Sequence, residues 1–190
     1  AYVQAVAYKG SSVVPDSDPK LYQLDARDIT GPLHAQVGEA CEFVYKNMTM
    51  AARKSAGRED LPQYDMGAIL EALVNAVVHR DYSLHGSKIR LRLFADRLEL
   101  YSPGGLPNSL DIESISERQS TRNEALASMM ARCTVPDFEW LDTPRKTMMD
   151  RRGEGVPIIL SASEALSGKR PEYQLIGDSE TKLTIYGATW

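Results

Sequence analysis

Three polar side chains stand four residues apart in the stretch MGAILEALVNAVVHRDYSLHG, Met66 to Gly86: Glu71, Asn75 and His79. Four residues turn an α-helix through about 400°, so the three share one slowly drifting stripe. Their types suit one chemistry. An asparagine carbonyl is a hard oxygen donor of the kind magnesium takes, and a glutamate can orient or deprotonate a water. Side by side they could serve a metal-bound phosphate. Glutamate and asparagine are also at home on a solvated helix face, where they need no ligand.

The elements that must position these side chains are legible around them. Met66, Ile69, Leu70, Leu73, Val74 and Val77 form an apolar stripe at helical spacing, and Asp65 stands where an N-cap belongs. After this helix, Lys88 to Ala95 alternates Ile89, Leu91 and Leu93 against Lys88, Arg90 and Arg92. A tight turn at Asp96-Arg97 leads into a second alternating run to Tyr101, which predicts a hairpin. One hairpin face is apolar for the helices; the other carries Arg90 and Arg92 toward solvent or a partner. Ser102-Pro103-Gly104-Gly105-Leu106-Pro107 follows at once, a turn whose backbone can come close to a ligand. A second glycine turn, Gly153-Glu154-Gly155-Val156-Pro157, runs into a predicted helix at Ile158 to Leu166. That is the general form of an anion site at a helix N-terminus. Glu154 has the wrong sign for a phosphate there unless magnesium or Arg151 and Arg152 offset it.

The rest reads as scaffold. Tyr2 to Lys9 is strand-like and stops at Gly10-Ser11-Ser12; turn chemistry fills 13–20; Leu21 to Ile29 makes a second short strand. Thr30-Gly31-Pro32 opens a helix over about 32–48. Met50 to Pro62 is charged and reads as an exposed connection through which a short strand could pass. Asp111 to Ser116 reads as one helical turn, Arg118 to Asn123 as a basic polar stretch, and Glu124 to Arg132 as a short helix broken by Val135-Pro136-Asp137. Glu172 to Ile176 and Lys182 to Tyr186 close the chain as a hairpin around Gly177-Asp178.

The 190 residues are 43% hydrophobic and 25% charged, enough for one domain with a sizeable core. A net charge of −4 excludes a general electrostatic pull toward nucleic acid or anionic membrane. Cys41 and Cys133 lack metal-ligand spacing and read as small buried hydrophobes in a reducing cytoplasm. No apolar run approaches the ~20 residues of a membrane span, and no signal peptide is visible. The chain opens in mid-strand without an initiator methionine, so a fragment of a longer protein is expected.

The block from Glu71 to Leu110, EALVNAVVHRDYSLHG with RLELYSPGGLP, carries a family pattern, extended by Ser120 to Asn123 (STRN) and Gly153 to Val156. It resembles the C-terminal ATPase-like domain of bacterial RecG-like, helicase-related and transcription-regulator proteins. These place an Alba/Schlafen-like DNA-binding domain on its N-terminal side. The domain is a divergent member of the GHKL superfamily of gyrase, heat-shock chaperone, histidine kinase and MutL. The resemblance implies an α/β two-layer sandwich, a mixed sheet with helices on one face. Residues 1–31 would be the remnant of the preceding DNA-binding domain and its linker, and 32–190 the ATPase-like domain. Glu71 matches the water-activating glutamate and Asn75 the magnesium ligand; His79 and Arg80 fall near the phosphates. Ser102, Gly104 and Gly105 stand at the first glycine box, Gly153 and Gly155 at the second.

The chain departs from the pattern in three places. No acid precedes the first glycines to read the adenine amino group, and Glu99 lies too early to fill that place. Glu154 sits in a shortened second box. The segment Cys133 to Lys146 is unlike the family. The resemblance thus implies an ATP- and magnesium-binding regulatory domain of a DNA-binding regulator, with at most weak hydrolysis. The alternative is a degenerate scaffold that binds no nucleotide and serves dimerisation. Either would be cytoplasmic and homo-oligomeric, meeting DNA through another domain. Motor helicase activity is excluded for this segment by the absence of a G-x-x-x-x-G-K-[ST] loop.

Overall fold

The computed structural model describes residues 1–13, 22–54, 57–106, 114–115, 121–150 and 153–190. The turn expected over 13–20, the helical turn expected at 111–116, the first half of the basic stretch at 118–123, and Arg151 and Arg152 fall wholly or largely outside these residues.

The chain builds a mixed six-stranded sheet and a separate two-stranded ribbon. Val3–Tyr8 is β1, Gln23–Ile29 is β2, Ile89–Leu93 is β5, Arg97–Pro103 is β6, Glu172–Ile176 is β7 and Glu180–Tyr186 is β8. Their order across the sheet is β2-β1-β5-β6-β8-β7. Every pairing is antiparallel except β1 with β5, which runs parallel from Val3 opposite Ile89 to Ala7 opposite Leu93. Among the described residues four helices accompany it: α1 (Leu33–Asn47), α2 (Met66–His79), α3 (Glu124–Met130) and α4 (Gly155–Ser167). The result is the α/β sandwich that the resemblance implies.

Alternation decides which face is covered. Val3, Ala5 and Ala7 of β1, Ile89, Leu91 and Leu93 of β5, Leu98 and Leu100 of β6, and Leu183 and Ile185 of β8 are buried in one core with the helices. The opposite face is polar. There Arg90 and Arg92 lie over the Tyr101 ring, at 4.2 and 5.3 Å from its centroid. Glu99 joins them, paired with Arg97 at 2.9 Å and Lys182 at 3.1 Å.

The N-terminal strands are part of this fold. Residues 1–31, expected as the remnant of a preceding domain, supply β1 and β2, and β1 lies between β2 and β5 with its core-facing side wholly buried. Met50 to Pro62 is a hairpin rather than a loose connection: Met50–Lys54 (β3) pairs with Arg58–Pro62 (β4).

α2 is the axis of the helical layer, packing on α1, on α4 and on β6. Eleven of its fourteen residues are buried, which removes the reading of a solvated surface helix. Asp65 caps it by accepting from the Ala68 N–H at 2.8 Å. α4 begins at Gly155, earlier than its apolar period suggests, because Pro157 is accommodated within the first turn. Cys41 is buried as expected, whereas Cys133 is only half-buried beyond the end of α3.

Candidate functional site

Along α2 the polar stripe opens on a cavity of about 430 Å³, within the usual size range of small-molecule sites. Glu71, Asn75 and His79 form one wall, spread over about 12 Å of helix. Ser102, Gly104 and Gly105 come from the end of β6, and Gly153 and Gly155 from the start of α4. The structure thus gathers eight of the nine residues named from spacing, turn chemistry and the family resemblance. Leu100, Leu106, Ala127, Tyr173 and Leu183 add apolar surface.

Arg80 is the ninth, and it does not line the cavity. Its guanidinium is buried in the turn after α2, donating to the carbonyls of Asp81, Leu84 and Ser87 at 3.2, 3.3 and 2.6 Å. A buried arginine with many donors organises a turn when carbonyls surround it. Glu154 is also out of place for its expected effect: it is exposed and absent from the cavity lining.

Close packing joins α4 to the stripe. A methyl group on Gly155 would stand 3.0 Å from Glu71 Oε2 and 3.1 Å from Asn75 Nδ2. Glycine here lets the first turn of α4, the positive end of the helix, approach the carboxylate and carboxamide directly. Gly104 is held more tightly. It takes φ +109°, and a Cβ would lie 2.5 Å from Arg122 Nη1 and 2.8 Å from Asp81 Cβ. Its N–H donates to Ser179 O at 2.7 Å and its carbonyl accepts from Thr181 at 2.9 Å. The first glycine turn is therefore internally bonded, and it offers shape more than free peptide groups.

The STRN motif explains that rigidity. Arg122 pairs with Asp81 at 2.8 Å and donates to Gly105 O at 2.8 Å. Asn123 donates to Val78 O and Arg80 O, both at 2.8 Å, closing the carbonyl end of α2.

Electrostatics differ sharply along the stripe. Glu71 is pushed up to about 7, by burial first and then by Asp150, against the opposing pull of Arg145. Arg145 lies 2.6 Å from Glu71 Oε1. His79 is lowered by burial and by Arg122, so its imidazole is held neutral, and its Nδ1 is buried with no hydrogen-bond partner. Ser102 donates to Ala76 O at 2.9 Å, on the cavity side of β6. Glu99 sits on the opposite sheet face, where three neighbours bond it.

The donor set fits a magnesium–phosphate group. An unbonded imidazole nitrogen, a carboxamide and a tight glycine cradle surround one space. Among the described residues no three His, Cys, Asp or Glu side chains gather as a metal site of their own. An ion held at Asn75 would therefore take its remaining oxygens from ligand or water.

A family model described as "Putative ATP-dependent DNA helicase recG C-terminal" matches residues 86–185, more than half of the chain. The chain belongs to this family. It is thus an ATPase-like C-terminal domain of the recG type. The matched span starts after α2, so Glu71, Asn75 and His79 stand outside it, while the glycine turns lie within. The crystal structure of the DIP2311 protein from Corynebacterium diphtheriae shares the fold of this recG C-terminal domain, with a TM-score of 0.70 at 20% identity. The match covers 98% of this chain and 33% of that one, so the chain spans about a third of that protein's length. No curated protein matches the chain.

Four contributors went unread in the sequence. Arg145 and Asp150 lie in an irregular segment with no period to flag them. Thr181 and Tyr173 sit on strands as ordinary alternating residues. No described helix is long and apolar enough to cross a membrane.

Proposed function

We propose that this chain is a nucleotide-binding regulatory module. ATP with magnesium seats over α2, and the loaded state is relayed to a DNA-binding domain elsewhere in a longer protein or to a second copy of the chain. The observation that carries the reading is the convergence of Glu71, Asn75, His79 and both glycine turns on one cavity. Asn75 would hold magnesium through its carbonyl oxygen. The start of α4 would face the phosphates with the positive end of its helix. Neutral His79 would offer its bare Nδ1 as a hydrogen-bond partner. Magnesium, when bound, would neutralise phosphate charge beside Glu71 and Asp150. Glu71 would orient water, and its ion pair with Arg145 suits slow hydrolysis at most. DNA contact is assigned outside this chain, whose net charge is −4.

One feature favours a second reading, a scaffold without nucleotide that acts in dimerisation. The cavity side of β6 carries Ser102, whose proton is engaged with α2, in place of an adenine-reading acid. Thermal denaturation with millimolar magnesium and a non-hydrolysable ATP analogue separates the two. Ligand at 100 times its dissociation constant adds about 2.7 kcal/mol. The module reading expects that shift in the wild type and its loss in Asn75→Ala. No wild-type shift would leave the scaffold reading, and equal shifts in both would remove Asn75 as the metal ligand.

A further inference from the structure

The segment between α3 and α4 is a strap with a closed neck. Thr134 and Thr147 form an isolated bridge, Val135 N–H donates to Lys146 O at 3.1 Å, and Met148 N–H donates to Cys133 O at 2.8 Å. Its loop lies across the two central helices. Trp140 stacks on Tyr45 of α1 at 4.3 Å, and Pro136 packs against Gly38 of the same helix. Met148 is buried in the core. Arg145 stands at the neck, its side chain 12% exposed, and reaches α2.

The Glu71 carboxylate is divided between two neighbours. Oε1 takes the Arg145 ion pair at 2.6 Å, and Oε2 lies against Gly155, beside the Asn75 carboxamide. Arg145 itself does not line the cavity. It meets Glu71 from behind and leaves the other oxygen turned toward the site. A carboxylate with no such partner could turn about its final bond and would sit buried without a counter-charge.

We propose that Arg145 is the positioning residue of this site: by engaging Glu71 Oε1 from the strap, it presents Oε2 to the space between Asn75 and α4. This deepens the nucleotide reading and rests on it for the identity of the ligand, but not for the pairing. The task is carried by one positive nitrogen, Arg145 Nη1, at one carboxylate oxygen, so a cation at that point sets which oxygen faces the site. The strap that carries it continues directly into Met149 and Asp150 of the cavity wall.

The test is a cycle of Arg145→Met and Glu71→Gln, with Arg145→Lys as the conservative variant. Two quantities are read: the unfolding constant without ligand, and the dissociation constant for magnesium adenylyl-imidodiphosphate by titration calorimetry. Arg145→Met should weaken the ligand tenfold or more, Arg145→Lys by no more than threefold. In the Glu71→Gln background, Arg145→Met should change it less than twofold, because the effect travels through the carboxylate. The unfolding constants of the two substitutions should be coupled by tenfold or more. An unchanged dissociation constant in Arg145→Met, or an equal loss in both backgrounds, would overturn the assignment. A wild type that takes up no nucleotide would refute the function proposed above; the ligand-free cycle then decides Arg145 alone, additive unfolding constants overturning the pairing.

Discussion

Replacing Gly155 with alanine separates the site from the fold. Gly155 opens α4 with ordinary helical backbone, so alanine meets no backbone strain there. Helix propensity favours the change by about 0.5–1 kcal/mol. Against this, the new methyl would lie 3.0 Å from Glu71 Oε2 and 3.1 Å from Asn75 Nδ2, so both groups must yield by a few tenths of an ångström. Glu71 is pinned by Arg145, and crowding of this kind costs about 1–3 kcal/mol. The propensity gain offsets only part of the crowding. Net destabilisation should stay near 1–2 kcal/mol, a fall in Tm of about 2–8 °C for a chain of this length. The ligand has no such compensation, because the methyl enters the space where carboxylate, carboxamide and helix end converge. A tenfold weaker complex, tested at 100 times the wild-type dissociation constant, gains about 1.4 kcal/mol in place of about 2.7. Scanning calorimetry with and without the magnesium-bound analogue reads both numbers. A variant with the full wild-type ligand shift would refute the argument, since the start of α4 would then not border the bound ligand.

Three further outcomes follow from the same geometry. Gly104→Ala should cost about 3 kcal/mol or more by urea denaturation, since a side chain at φ +109° is strained and its Cβ collides with Arg122 and Asp81. Arg80→Lys should cost about 1–3 kcal/mol, through carbonyls left without donors, while the ligand dissociation constant stays at its wild-type value; a selective loss of ligand would return Arg80 to the site. Glu71 rises from an ordinary 4.5 to about 7, so the folded chain holds its proton more tightly than the unfolded chain. Its contribution is present in full below pH 4.5 and is lost as pH rises through 7, on the order of 3 kcal/mol in all. Glu71→Gln should abolish that component, and parallel stability–pH curves for the two proteins would contradict it.

What could be read in the sequence was whatever repeats. The α2 stripe and the β5–β6 alternation announce themselves, because burying one face demands a period. Asp65 was legible because capping chemistry is local. β3 and β4 carry arginine, glutamate and aspartate on an unburied ribbon, so no alternation marks them. β1 reads as a strand, but nothing local says that it pairs with β5. Arg80 shows the converse: the resemblance implies a place near the phosphates, and the carbonyls around its guanidinium show that it organises a turn instead. Ser120 to Asn123 was recognisable as a pattern, yet its visible work, by Arg122 and Asn123, lies in the turn and the end of α2. Arg145 has neither period nor motif, and only tertiary packing brings it to Glu71.

The parallel pairing of β1 with β5 also orders events in time. Val3 cannot meet Ile89 until α1, the β3–β4 ribbon and α2 have all been made, and β6 waits in turn for β8 near the far end. The β1–β2, β5–β6 and β7–β8 pairs can form locally, but the sheet that joins them cannot close early during synthesis. Distant pairings carry their loop-closure entropy before contacts return it, so assembly should be slow for the chain's length. In the interval β5 and β6 present an open apolar face. A shortened chain starting at α1 would keep that exposure permanently, trading a folding delay for an aggregation-prone edge.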